Sequence, residues 1–332
     1  MTIVNKKGRW VEMEQTIQLF EKNFNKIKEY ASWTIDKRVL FMLASYYTSR
    51  QEEFNVQPFQ EVINIIKEQA HWYSIPRTNQ LLQFTYAMHF SKAENKKEAI
   101  LEVLENYKIL RAEKFANTSY TYIAALFLTA TNKEQQSKNA RKLYKEMHKK
   151  HKFLTSNDDI PIAVMLSSDD TNDAEQRANT MRLYYDELRK AKFPQGNELQ
   201  ALSQILTLTS NEFNAQLSNY VVKIKETLET NGIKIKTSMF IQLGFLASIG
   251  INDEKLEELV ALYEVFSKKK YFKWYKNEAL GVAIQQLLPT MDRSKFELLS
   301  IVSLEMFLQM QYAIIASAAI TSAAATSSGG SE

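Results

Sequence analysis

A chain that repeats itself every 40 residues or so is tightly constrained, because each copy is a supersecondary unit that buries its apolar face only by stacking on its neighbours. Such a period runs through these 332 residues. One marker reads Leu-Tyr, four residues, two basic residues, two more, then Phe. It occurs as LYKEMHKKHKF from Leu143, LYYDELRKAKF from Leu183 and LYEVFSKKKYF from Leu262, at spacings of 40 and 79. A second marker is an apolar run closing on Leu and two small residues: Leu43-Ala44-Ser45, Leu128-Thr129-Ala130, Leu166-Ser167-Ser168, Leu208-Thr209-Ser210 and Leu246-Ala247-Ser248. Its gaps of 85, 38, 42 and 38 fit the same unit, with one weak copy near Met88.

Each unit holds an apolar segment A, a polar connector and an amphipathic segment B. In B the apolar positions follow a 3.6-residue period, as in Ile100, Val103, Leu104 and Tyr107, with charges opposite, so B is read as a helix with one face on the core. The A segments, such as YIAALFLTA and MFIQLGFLAS, are apolar nearly all round and taken singly also suit buried strands. Helix-forming residues, amphipathic B partners and a chain with only 8 Gly and 5 Pro decide for helix. The fold expected is therefore all-α, with about seven α/α helix pairs over residues 36–316, arranged as a curved solenoid or a closed α/α toroid. All-round apolar A helices favour the closed form. Residues 1–35 supply a capping helix through Ile17, Phe20, Phe24, Ile27 and Tyr30, and residues 317–332 read as a disordered Ala/Ser/Gly tail.

The absence of cysteine excludes disulfide frameworks, thiolate metal sites and Cys nucleophiles, and fits the cytoplasm. A net charge of +4, from 42 basic and 38 acidic residues, is too small a bias to indicate nucleic acid. No secretory signal is visible, and the apolar stretch 298–320 is broken by Glu305, Gln309 and Gln311, against a transmembrane span.

The candidate sites each have a structural explanation. In HKFLTSNDDIPIAVMLSS, from His151 to Ser168, Asp158 and Asp159 fall where a helix begins, so they are read as caps, with Pro161 in the first turn. The joints FPQGNE and FKWYKNE place Asn and an acid in the same way. The loop SSDDTND, with Asp169, Asp170 and Asp173, looks like an oxygen-rich cation site but lacks calcium-hand spacing. His148 and His151 lie three apart, as two zinc ligands can, yet no third ligand is evident; with Asp158 and Asp159 they are the metal candidates, and the expectation is no metal and no cofactor. Basic pairs Lys149-Lys150, Arg189-Lys190 and Lys268-Lys269 recur at one place in the unit and would form a partner-binding ridge if aligned, although basic residues also complement the dipole at helix C-termini. Tyr144, Tyr184, Tyr263, Phe153, Phe193 and Phe272 repeat with the unit and are read as packing. An enzyme would have to gather Gln83, His89, Gln204, Gln242, Gln285 and Gln286 around a central cavity, since no nucleotide-binding, metalloprotease or hydrolase motif occurs.

On the stretch HKFLTSNDDIPIAVMLSS, the helical body and the Ala/Ser-rich tail, the chain resembles a bacterial family of unknown function, number four thousand and three of that series. The resemblance implies a largely helical bacterial protein and carries over no catalytic or binding residue. The expectation is a helical-repeat module binding a protein partner; the rival is a toroid enzyme or small-molecule binder with its site at the mouth of the inner helix ring.

Overall fold

The computed structural model describes residues 3–31, 35–168 and 173–290. In chain order its helices are α1 (Ile3–Tyr30), α2 (Lys37–Ser49), α3 (Val56–Gln69), α4 (Ile75–Thr78), α5 (Gln80–Phe90), α6 (Lys96–Ala112), α7 (Ser119–Ala124), α8 (Lys133–Lys150), α9 (Ile160–Met165), α10 (Ala174–Lys190), α11 (Asn197–Thr207), α12 (Ala215–Thr230), α13 (Phe240–Ser248), α14 (Asp253–Lys268) and α15 (Lys276–Leu287). No strand occurs among the described residues, so the fold is all-α. The tail and the apolar stretch 298–320 lie outside them. No described helix is long and apolar enough to cross a membrane.

The A segments become α2, α5, α7, α9, α11, α13 and α15; the B segments become α3, α6, α8, α10, α12 and α14. The all-round apolar character of A is expressed as unbroken burial, from Phe240 to Ala247 in α13 and from Ala279 to Leu287 in α15. B helices bury one face only, for instance Ile100, Val103, Asn106 and Leu110 in α6. Five B helices start on an Asn or Asp cap, namely Asn95, Asn132, Asp173, Asn214 and Asn252, whose side chains accept backbone N–H groups of the first turn. That device supplies the stop between an apolar A helix and its polar partner.

The chain divides into two compact units. One comprises residues 59–251. Within it α7 packs on α9 and α11 on α13, while α8 packs on both α6 and α10 and α10 on α12, an order compatible with stacked helix pairs. Buried polar side chains of the B helices hold the carbonyl ends of the A helices. Asn106 donates to Ala125 O (3.0 Å) and Leu128 O (3.3 Å), and Gln136 donates to Phe127 O (2.9 Å) and Val164 O (3.0 Å). Because one side chain at the start of α8 reaches the ends of both α7 and α9, α8 runs antiparallel to both. Helices α6, α8 and α10 run in the same direction, since Glu102 meets Lys133 and Phe115 meets Tyr144, while Met147 lies by Met181 and His151 by Tyr185, so the joints after these three helices emerge at one end. Helices α11 and α13 approach closely at Gly244, where a Cβ would lie 2.5 Å from Leu202 Cδ1.

The other unit comprises the described parts of residues 1–58 and 252–294. Helix α1 packs on α2, and its Phe20 meets Phe266 (5.2 Å between ring centroids) and Phe272 (6.0 Å); the amphipathic stripe foreseen for this helix thus covers residues from both ends of the sequence. Phe24 stacks on Phe41 at 5.2 Å. Buried Asn23 donates to Thr48 Oγ1 and Glu52 O and accepts the Phe54 N–H, fixing the turn after α2. Helix α15 lies on α2, with Gln286 donating to Ser45 Oγ at 2.8 Å.

Candidate functional site

The B-to-A joints show how local rules build the site. After α6, α10 and α12 the chain turns through Lys114, Lys192 and Gly232, with φ of 64°, 65° and 80°. The next residue folds back onto the helix: Phe115 N–H bonds Leu110 O, Phe193 N–H bonds Leu188 O and Ile233 N–H bonds Leu228 O. These are Schellman motifs, and the side chain five residues after the last buried leucine returns to the core. Phe115, Phe193 and Ile233 are accordingly buried.

After α8 the motif fails. The last buried B residue is Met147, so Phe153 stands six residues on rather than five, and His151 takes the inward place with φ −136°. His151 is buried edge-on against Tyr185, at 4.8 Å, while Phe153 is 96% exposed. The recurring marker is therefore out of register here: Leu143 is buried where Leu183 is exposed, and Phe153 is no packing residue. Tyr184 and Phe272 are buried, and Tyr144 and Tyr263 half-buried, in line with packing.

Beyond this joint a 3₁₀ turn, Asn157–Asp159, leads into α9. Asp159 does cap it, accepting the Ser156 N–H at 2.8 Å, but unlike a solvated cap it is buried. Its other carboxylate oxygen accepts from Gln200 (3.1 Å) and Gln204 (2.5 Å) of α11. Burial, reinforced by the neighbouring charge of Asp158 and opposed by these hydrogen bonds, pushes the Asp159 carboxyl up to about 7. Burial, with the charge of Arg182, lowers His151 and keeps its imidazole neutral at physiological pH. Behind this cluster is a small cavity lined by Met147, His151, Thr155, Gln200, Ser203 and Gln204, with about 10 Å³ open to the centre of a water, room for one molecule. Thr155 Oγ1 and Gln200 Oε1 are buried there without a hydrogen-bond partner.

The four metal candidates do not converge. His148 is exposed while His151 and Asp159 are buried, and Asp158 accepts the Ser156 hydroxyl. Among the described residues no group of three or more His, Asp or Glu could hold a metal. Asp173 caps α10, and Asp169 and Asp170 fall outside the described residues. The basic ridge is largely occupied locally: Lys149 pairs with Glu146 (2.6 Å), Lys190 with Glu187 (2.8 Å), Lys268 with Glu264 (3.7 Å) and Lys269 with Glu21 (2.8 Å). Arg189 donates to Phe193 O at 2.7 Å, and Lys150 is half-buried. Of the glutamines proposed to ring a cavity, Gln83 donates to Pro76 O and Arg77 O, Gln204 to Asp159 and Gln286 to Ser45; Gln242 and Gln285 are also buried, and His89 is half-buried.

Two open grooves lie along B helices of the 59–251 unit. One, of about 510 Å³, has Leu101 and Leu104 on its floor and Glu98, Glu102 and Glu105 around it. The other, of about 490 Å³, has Leu183 and Phe213 beside Asp173, Glu175 and Glu212. Leu101 and Leu183 are 45% and 49% exposed, unusual for leucines on helices whose other large apolar side chains turn inward. No periodicity argument singles them out, since each is one position off the buried stripe.

Comparison with known proteins places the chain. Residues 23–317 match the family described as a protein of unknown function, DUF4003. The chain belongs to that family. It is also similar to the uncharacterized protein YeaA of Bacillus subtilis (strain 168), with 25% identity over 329 residues, covering 94% of this chain and 98% of the relative. No solved structure matches significantly.

Proposed function

We propose that this member of the DUF4003 family is a helical-repeat binding module that takes a protein partner along the outer faces of its B helices. The observation that carries the reading is the pair of grooves at Leu101 and Leu183, each an exposed apolar floor rimmed by three carboxylates. In the first groove Glu105 is already paired with Lys108, which is part of the lining, and Glu102 with Lys133, so the second groove, with no cation in its lining, carries the charge argument. Charge complementarity selects a basic amphipathic segment that seats a leucine or phenylalanine on the floor and directs Lys or Arg to the rim. The module would work in the cytoplasm, to which a chain without cysteine is suited. Against the rival small-molecule reading, the cavity behind Asp159 has the volume of one water and admits no organic substrate.

The test is fluorescence anisotropy with a labelled basic amphipathic helical peptide and an acidic peptide of the same apolar spacing. The basic peptide should bind and the acidic one should not. Leu101→Asp with Leu183→Asp, both at exposed positions, should abolish binding while leaving the circular dichroism spectrum unchanged. Failure of the basic peptide to bind, or binding that survives both substitutions, refutes the reading.

A further inference from the structure

Two features of the B-to-A joints run against the preferences of the chain, and both face solvent at the same end of the 59–251 unit. The first is Phe153, 96% exposed where its counterparts Phe115 and Phe193 are 0% and 2% exposed. The second is a set of lysines. Lys114 and Lys192 occupy left-handed backbone, at φ of 64° and 65°, which disfavours any residue with a Cβ; the equivalent joint after α12 uses Gly232 at φ 80°. Lys152 precedes Phe153 in the joint between them, and Lys234 and Lys236 follow Gly232. All five lysines are exposed. Unlike Lys149 and Lys190 in the last turns of α8 and α10, none of the five has a carboxylate partner among the described residues. The acids at these joints are Glu113, Asp158, Asp159 and Glu198; Asp158 is engaged by Ser156, and Asp159 is buried on Ser156, Gln200 and Gln204.

We infer that this end is a docking surface for an anionic lipid bilayer, with Phe153 inserted among the acyl chains near the headgroups and Lys114, Lys152 and Lys192 on the lipid phosphates. An exposed aromatic side chain flanked by unpaired lysines is the chemistry of interfacial binding: apolar burial supplies one part of the affinity and attraction to anionic headgroups the other. The contact inferred is peripheral, because it is made by exposed side chains of the joints and not by a helix. A nucleic acid fits less well. Bases stack on aromatic platforms set in a groove, whereas the Phe153 ring, at 96% exposure, has no wall beside it.

The experiment is cosedimentation of the full chain with vesicles of phosphatidylglycerol and phosphatidylcholine, beside vesicles of phosphatidylcholine alone. The protein should pellet with the anionic vesicles, lose most of that binding in about 0.5 M salt, and bind little to the neutral ones. Phe153→Ala should weaken binding about tenfold or more. The combined Lys114→Glu, Lys152→Glu and Lys192→Glu variant should abolish it. Because these side chains are exposed, the variants remain folded, as urea melts will verify. Leu101→Asp with Leu183→Asp should leave vesicle binding intact, which separates this inference from the protein-binding reading. It is overturned if neither vesicle binds, if both bind equally, or if the Phe153 and lysine variants bind like the wild type. It is likewise overturned if a single-stranded oligonucleotide, and not the vesicles, is what these variants lose.

Discussion

Replacing Asp159 by Asn tests the buried carboxyl directly. In the unfolded chain this carboxyl titrates at its ordinary value of 3.8; in the folded chain burial and Asp158 raise it to about 7. Over that interval the folded chain holds a proton that the unfolded chain has released, so the unfolding free energy falls as pH rises. The stability is fully present below the unfolded value and lost by the time pH has passed the folded one. A difference of about three pH units, at about 1.4 kcal/mol per unit, amounts to ~4 kcal/mol. Asparagine has the shape of the protonated acid and cannot ionise. Its carbonyl can accept the Ser156 N–H, and with the Gln200 and Gln204 amides turned over its NH2 donates to their oxygens, of which Gln200 Oε1 is otherwise without a partner. Asp159→Asn should therefore match the wild type near pH 4 and exceed it by up to ~4 kcal/mol at pH 8. The assay is urea unfolding of both proteins at half-unit steps across that range, with the difference in unfolding free energy plotted against pH. A flat difference would refute the reasoning, because it would mean that the three donors around Asp159 offset its burial and leave it ionised throughout.

Two further outcomes follow from the joints. Phe193→Ala should cost ~3–5 kcal/mol in urea unfolding, and Phe153→Ala, at the same place in the repeated marker, less than ~0.5 kcal/mol; equal losses would contradict the register difference. Gly232→Ala should cost ~1 kcal/mol, and since a Cβ there meets nothing within 4 Å, the loss is one of backbone conformation alone and should be seen equally with Gly232→Ser.

Much of the fold was legible because its determinants are local. The unbroken apolar runs became helices buried on all sides, as at Phe240–Ala247, but the caps foreseen in FPQGNE and FKWYKNE did not form: α11 starts on Gly196 and α15 on Tyr275 without a side-chain cap, and Asn95 and Asn132 cap B helices instead. What escaped the sequence depends on one-residue offsets or on long separations. LYKEMHKKHKF and LYYDELRKAKF look like copies, yet α8 presents Leu143 and Met147 inward while α10 presents Tyr184 and Leu188, a shift of one residue that turns a helix by 100°; after it Phe153 lies in solvent, whereas Phe272, in the same register past Leu262 and Phe266, is covered by Phe20.

Asp159 shows the second kind of limit. A carboxylate before a helix reads as a solvated cap, and the local half of that reading holds, since it accepts the Ser156 N–H. Its burial is decided by Gln200 and Gln204, which lie 41 and 45 residues away, one repeat along. The period that revealed the units could in principle have paired them, because residues one period apart on adjacent A helices are neighbours. Adjacent copies are therefore better read in register against one another than singly. Two donors at Gln200 and Gln204 facing an acid one period earlier mark an inter-repeat bond.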